Sequence, residues 1–484
     1  MPNSIYIKNF GPIDDANIEL SNMTVLIGPN SSGKSFTALL IHALLNPLGE
    51  KGKNFSNEIM DLSFNSFVEL HKNNSSTYVE FYEGLMKHIE NSPNNKISFK
   101  ISKSKFKTLI DEGVGLVYKN LIEEKLKQLF EVDNLDDLIN SNSNFFEIKF
   151  NDMTLIKEKG KELTINLFTK NSLSMLISYD ENNIQTDNFY RIESNLDDYE
   201  IYLNFLLLEE DGKLDLNKLI RIFYQFIARS LFEKLFKDYS YYIPSSRDEL
   251  LKNKNSYLSQ NLRGRFSFSS IQKELASNLL DIDPNSKNGD FLDVANNLEN
   301  DIINGIVDME YSEPNMDLYF KNTDNSINLP FNLTSSAIRE LSPFILYMKY
   351  ILKKGDTLVI EEPEAHLHPG NQRKLVKYFV EALNKGLNII ITTHSDYISD
   401  QINNNIRLGN ISINTLDEEF DDYNKYHILD FKKINIYVYK ALALFDFKTS
   451  KIDINNTGFI EDNFSTIGSE LYDETIKLIN SKEG

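Results

Sequence analysis

Gly28-Pro29-Asn30-Ser31-Ser32-Gly33-Lys34-Ser35 is the stretch from which the fold is read. It has the G-x-x-x-x-G-K-[ST] spacing of a loop that wraps phosphate. Apolar Met23-Thr24-Val25-Leu26-Ile27 precedes it and predicts a buried strand. Phe36-Thr37-Ala38-Leu39-Leu40-Ile41-His42-Ala43-Leu44-Leu45 follows, free of proline, and predicts a helix. Gly28 and Gly33 let the main chain curl without Cβ clashes, so successive N–H groups turn inward. Gly28, Asn30, Ser31, Ser32, Gly33, Lys34, Ser35 and Phe36 are thus the expected phosphate contacts, with the helix dipole aimed at the same anion. Lys34 supplies a point charge to the β- and γ-phosphates, and the Ser35 hydroxyl is a ligand for Mg²⁺. ATP and Mg²⁺ are the expected cofactors.

The chain has 484 residues, enough for two or three domains, with 41% apolar and 25% charged residues as in a soluble globular protein. Cysteine is absent, which excludes disulfides, thiolate zinc sites and a cysteine nucleophile. Met1-Pro2-Asn3-Ser4 has no basic leader, and no apolar run reaches the roughly 18–20 residues that span a bilayer. A cytoplasmic protein without a membrane partner is expected. A net charge of −20 argues against broad electrostatic adhesion to DNA. Lys96, Lys100, Lys103, Lys105 and Lys107 form an acid-free window, read as an exposed strand edge blunted by lysines rather than a nucleic-acid groove.

Ile5, Ile7 and Phe10, then Ile13, Ile18 and Leu20, flank Gly11-Pro12 and predict two short strands joined by a turn. Between residues 55 and 210 the segments Thr77–Tyr82, Ile97–Ile101, Phe145–Phe150, Leu163–Phe168 and Met175–Tyr179 lean towards strand, in an insertion of mixed structure. Residues 214–236 read as a helix with Leu219, Ile222, Phe223, Phe226, Ile227 and Leu231 on one face. Ser240–Ile243 reads as a strand and 270–307 as helical; no sustained heptads predict a coiled-coil arm.

A second cluster of chemistry is compact. A helix opens near Ser335 and Ser336 and runs to about Lys353, and Gly355 ends it. Thr357-Leu358-Val359-Ile360-Glu361-Glu362 is a buried strand closing on two acids. The loop Pro363-Glu364-Ala365-His366-Leu367-His368-Pro369 leads into a helix with Leu375, Val376, Phe379, Val380 and Leu383 on one face. Leu387–Thr393 is another strand, with His394-Ser395 at its tip. Alternating strands and helices predict a parallel sheet with its active edge at the strand C-termini. ATP hydrolysis needs a carboxylate for the metal and a group that positions water. Glu361 is assigned to Mg²⁺, Glu362 to the water, and His394 to the γ-phosphate beside Lys34. His366 and His368 lack a third ligand nearby, so they are read as a subunit-contacting loop.

Ile5-Tyr6-Ile7-Lys8-Asn9-Phe10, the phosphate loop, Glu361–Pro369 and Thr392-Thr393-His394-Ser395 together resemble the ABC-type ATPase heads of the SMC, RecF and OLD group. The likeness covers about residues 1–50 and 330–400, with Tyr242–Arg247 resembling a recurring element of the OLD-like branch. It implies an α/β fold: a P-loop ABC-type ATPase head with a parallel-sheet core, an N-terminal β-lobe and a mixed α/β insertion. The expected division is 1–54 (Walker A part), 55–239 (insertion), 240–400 (signature, Walker B, D-loop and H-loop) and 401–484 (C-terminal α/β tail). The L-S-G-G-Q signature is absent; Thr334-Ser335-Ser336-Ala337 stands in its place, where Ser335, Ser336 and the helix N-terminus would meet the γ-phosphate held by an opposite subunit. No glutamine fills the family's Q-loop, and Arg247 has two readings, its replacement or a structural salt bridge. OLD enzymes carry a Toprim nuclease domain after the ATPase; about 90 residues follow His394, too few for one.

The resemblance therefore implies a stand-alone ATPase subunit like those of the Septu and PARIS anti-phage systems. Such a subunit dimerises on ATP or forms a higher oligomer, and controls a separate effector, a nuclease or toxin. The alternative is a RecF-like ATPase acting on DNA in repair, which the acidic charge weighs against. A transporter ATPase and a non-hydrolysing scaffold fit less well.

Overall fold

The computed structural model describes residues 4–47, 83, 96–151, 153–167, 190–194, 198–204, 209–210, 213–214, 239–245, 247–248, 269–283, 285–286, 289–312, 315–324, 326–420, 422–443, 446–460 and 471–479. The expected strands at Thr77–Tyr82 and Met175–Tyr179, and residues 215–236 of the expected helix, lie outside them. The chain divides into two compact units, each described by itself: Met1–His42 with Asn140–Ser143 and Asp238–Gly484, and Ala43–Ile139 with Asn144–Lys237.

The first unit is built on one large sheet. β1 (Ser4–Phe10) and β2 (Ile13–Glu19) form the expected antiparallel pair, with Ile5, Ile7, Ile13 and Ile18 turned inward. β3 (Met23–Ile27) leads into the phosphate loop and α1 (Lys34–Leu45). β4 (Ser240–Ile243) follows, then α2 (Ser270–Leu280) and α3 (Leu292–Leu298). The helical reading of 270–307 stops at Asn304, whose φ of 51° turns the chain into β5 (Gly305–Ser312). β5 pairs with β6 (Asn315–Asn322), and β6 with β7 (Asn328–Pro330), in a separate antiparallel sheet. α4 (Ser336–Leu346) continues as a π-helical turn to Ile351. β8 (Thr357–Glu361), α5 (Pro369–Asn384), β9 (Asn388–Thr393) and α6 (Asp396–Arg407) come next, then β10 (Ile434–Ala443) and β11 (Asp446–Lys451).

The sheet order in this unit is β4-β8-β9-β3-β10-β11-β2-β1. The five strands from β4 to β10 are parallel. Strands covered on both faces need near-continuous apolar runs, which is what Val25–Ile27 and Ile389–Ile391 supply. α5 buries Leu375, Val376, Phe379, Val380 and Leu383, and α6 buries Ile398, Ile402 and Ile406, both at helical spacing. Each such side chain contributes about 1.5–3 kcal/mol when fully buried. The expected α/β class with a parallel core is what forms. Residues read as a C-terminal tail supply β10, hydrogen-bonded directly to β3 from Ile434 to Val438.

In the second unit, Phe145–Phe150, Met153–Glu158 and Leu163–Leu167 make an antiparallel meander. Lys96–Ser102, Asp198–Asn204 and Tyr190–Ser194 make a three-stranded sheet with Lys96–Ser102 at one edge. Lys96 and Lys100 thus sit on an edge strand as expected, whereas Lys103, Lys105 and Lys107 open a helix, Lys103–Phe130. That helix is unforeseen because Gly113 and Gly115 interrupt it with poor helix formers. Tyr118, Leu121, Ile122, Leu126 and Leu129 give it a buried face.

One pH-sensitive contact sits behind α5. His427 is buried, its Nδ1 accepting the Asn424 N–H at 3.3 Å, and its ring edges meet Tyr378 and Tyr423. Burial first, and then the Lys377 charge, push its pKa down from 6.5 to about 4. The unfolded chain therefore takes this proton before the folded one does. The contribution is complete above pH 6.5 and is lost as pH falls towards 4, an effect on the order of 2 kcal/mol. His427→Gln is expected to melt below the wild type at pH 7.5, with the gap narrowing at pH 4.5. A gap that stays constant in thermal melts across that range would contradict this.

Candidate functional site

Register alone aligns the chemistry. Thr393 is paired with Ile27 and Thr392 with Glu361 in parallel strands, so Gly28, His394 and Glu362 leave the sheet side by side at its C-terminal edge. The phosphate loop curls there. Ser31 and Gly33 have φ of 59° and 90°, and a Cβ on Gly33 would also lie 3.3 Å from Ile13 and Pro12. A Cβ on Gly28 would lie 2.9 Å from Tyr439 on β10. Asn30, Ser31 and Ser35 are exposed, Ser32 is buried, and Phe36 packs against Phe10 with ring centroids 5.3 Å apart.

Lys34 is 4% exposed, and its Nζ donates to Gly28 O at 2.8 Å and Pro29 O at 2.7 Å. Burial lowers its pKa to about 8 despite the opposing pull of Glu362, Glu364 and Glu361. His394 Nε2 donates to Glu362 Oε1 at 2.7 Å, and its Nδ1 lies 3.3 Å from Gly28 O. Both partners are acceptors, so the doubly protonated ring satisfies both contacts. The Glu362 bond raises the His394 pKa, and the His394 bond holds Glu362 below the usual carboxylate range.

Glu361 turns the other way. Its Oε1 accepts from the Tyr242 hydroxyl and its Oε2 from the Ser245 N–H at 3.2 Å. Burial, with Glu361 beside it, raises the Tyr242 pKa and keeps the phenol a donor. A carboxylate offers about four lone-pair sites, so these two bonds leave acceptor capacity. The Ser35 hydroxyl and the Glu361 carboxylate are hard oxygens of the kind that could take part in holding Mg²⁺. Among the described residues no group of three or more His, Asp or Glu could hold a metal ion by itself.

The structure adds three residues whose roles sequence reasoning missed or left open. Glu364 Oε1 accepts from Thr393 Oγ1 and from His394 N, both at 2.8 Å, fixing the histidine's main chain. Its buried Oε2 has no hydrogen-bond partner, and burial raises the carboxyl pKa. Its place in the acid-rich loop was the one available signal. Tyr242 is the second, read in the sequence as a strand position and as the start of the element that resembles the OLD-like branch, without a role of its own. Arg247 is the third: it is fully buried and ion-paired to Glu340 at 2.8 Å.

Ser335 and Ser336 are not joined to the phosphate loop by any hydrogen bond among the described residues. Ser335 is exposed and caps α4, its Oγ accepting the Ile338 N–H at 3.4 Å. His368 caps α5 through Gly370 N, and His366 is exposed, 3.9 Å from Glu340.

The AAA ATPase domain family matches residues 1–399. No curated protein matches the chain. Among solved structures, an SMC head bound to the C-terminal winged-helix domain of ScpA is 10% identical, with 93% of this chain and 97% of that one covered at a TM-score of 0.42. The SMC head domain from Thermotoga maritima is 11% identical, covering 94% and 100% at a TM-score of 0.36. An SMC head with an extended coiled coil, bound to the C-terminal domain of ScpA from Pyrococcus furiosus, is 10% identical, covering 99% of each chain at 0.37. No helix among the described residues is long and apolar enough to cross a membrane.

Proposed function

We propose, from the premise that this chain belongs to the AAA ATPase domain family, that it hydrolyses Mg·ATP at the C-terminal edge of its sheet, in sites shared by two copies. The observation that carries this is the Gly28–His394–Glu362 chain of contacts beside Lys34. Loop N–H groups and Lys34 would hold the phosphates, and Ser35 and Glu361 would hold the metal, which would neutralise phosphate charge there. The second Glu362 oxygen is free of the histidine and orients the attacking water. His394 takes the γ-phosphate side of the same carboxylate. Glu364 keeps the histidine's main chain in place.

Lys34, Glu362 and His394 come from one side of a bound phosphate. Ser335, Ser336 and the exposed N-terminus of α4 supply the other side from a second copy, head to tail, giving two sites in one symmetric interface. The cellular role proposed is a cytoplasmic sensor or regulatory subunit of an anti-phage complex, with a separate nuclease or toxin as effector. The motif resemblance to OLD-like defence ATPases supports it, and the net charge of −20 disfavours a subunit that works by coating DNA.

Mixing Lys34→Ala chains with chains carrying Ser335→Ala and Ser336→Ala tests the shared site. The heterodimer holds one site with both halves intact, and an equal mixture makes half of its dimers heterodimers, so ATP turnover is expected to return in part, towards about a quarter of the wild-type rate. A mixture that exchanges subunits yet stays as inactive as its parents overturns the shared arrangement.

A further inference from the structure

We infer that Arg247 is a positioning residue for the two acids that close β8, tying them to the first turns of α4. It is 2% exposed, and its guanidinium makes four hydrogen bonds to main-chain carbonyls. Nε donates to Glu340 O at 2.9 Å. Nη1 donates to Pro244 O at 3.1 Å and Glu361 O at 2.8 Å, and Nη2 to Glu362 O at 3.2 Å. Glu340 Oε2 balances the charge from 2.8 Å. One planar group thus holds the carbonyls of both acids and a carbonyl on α4.

The held backbone is an unusual one. Glu362 has φ of 42°, in the left-handed region that residues with a Cβ leave unless their surroundings fix them. Its N–H is taken by Thr392 O at 2.9 Å, and its carbonyl is shared by Arg247 and the Ala365 N–H at 3.0 Å. That conformation is what directs the side chain to His394 while Glu361, one residue earlier, turns to Tyr242. A second tie repeats the first in reverse charge: Arg339 donates to Asp248 and to Thr334 O. Arg247-Asp248 therefore grips Glu340-Arg339 crosswise. Thr334 directly precedes Ser335, so the same link reaches the helix end proposed to face the partner's nucleotide.

Lysine cannot replace this group. An ammonium has three hydrogens on one atom, whereas four carbonyls around Arg247 are met by three separate nitrogens. The inference rests on the proposed hydrolysis at Glu362, and it is judged on ratios to the wild type. Absence of any wild-type turnover would instead sink the functional reading itself. Arg247→Lys in the full chain is expected to bind Mg·ATP within threefold of the wild type and to turn it over at least fivefold more slowly. In a Glu362→Gln background the same change is expected to lower the residual rate by a smaller factor, because the group it serves is already gone. A fall of less than fivefold, or an equal factor in both backgrounds, overturns the inference in favour of a purely structural arginine. Should Arg247→Lys not fold, Glu340→Gln keeps the shape and removes only the balancing charge. A threefold or larger loss of turnover at unchanged affinity then supports the inference, and a smaller loss overturns it.

Discussion

Glu362→Gln is expected to bind Mg·ATP and to hydrolyse it at least tenfold more slowly, a barrier higher by about 1.4 kcal/mol or more. The amide has the size of the carboxylate and still offers His394 Nε2 an oxygen at the position now 2.7 Å away. The local contacts of the fold are therefore retained. What is lost is the negative charge proposed to orient water, which also raises the His394 pKa. The variant is expected to accumulate as an ATP-bound dimer, visible by light scattering, and to lose protection of its host in a phage plaque assay. Turnover within twofold of the wild type would remove Glu362 from its role. If Glu361→Gln instead kills only the chemical step while metal binding survives, the two acids are assigned in the wrong order.

Lys34→Ala is expected to weaken ATP binding by two orders of magnitude or more, about 2.7 kcal/mol, with the fold preserved. The lysine is the cation set within the loop, and burial that lowers its pKa to about 8 means its charge is held where water screens it poorly. The fold is expected to survive because the side chain's bonds go to Gly28 O and Pro29 O, within the loop itself. Calorimetric titration with Mg·ATP, beside a circular dichroism spectrum, checks both halves. Unchanged affinity in a folded variant would refute the site.

Both acids, the histidine and the loop were legible because each ends an apolar run whose length alone marks a buried strand. Once the strands ending at Ile27, Glu361 and Thr393 are recognised, parallel pairing puts their following residues together. Less legible was how neighbours divide the work. Glu361 and Glu362 are adjacent and identical, and only the φ of 42° at Glu362, enforced from Arg247 and Thr392, sends them to different partners. Glu364 was equally hidden, since a buried carboxyl is recognised by what surrounds it and not by the proline before it. The place of β10 was illegible for a different reason: residues 434–438 alternate less clearly than a lone strand would, and their partner is β3, about 400 residues earlier.

That last pairing bears on how the protein is made. β3 lies between β9 and β10, so both of its hydrogen-bonding edges wait for segments near the far end of the chain. At roughly 5–20 residues per second, a ribosome that has released β3 needs on the order of 20–80 s to deliver β10. Through that interval the most apolar strand of the sheet has no permanent neighbour, and pairings this distant in sequence close slowly. The phosphate loop that follows this strand is therefore completed only after the C-terminal strands have been made.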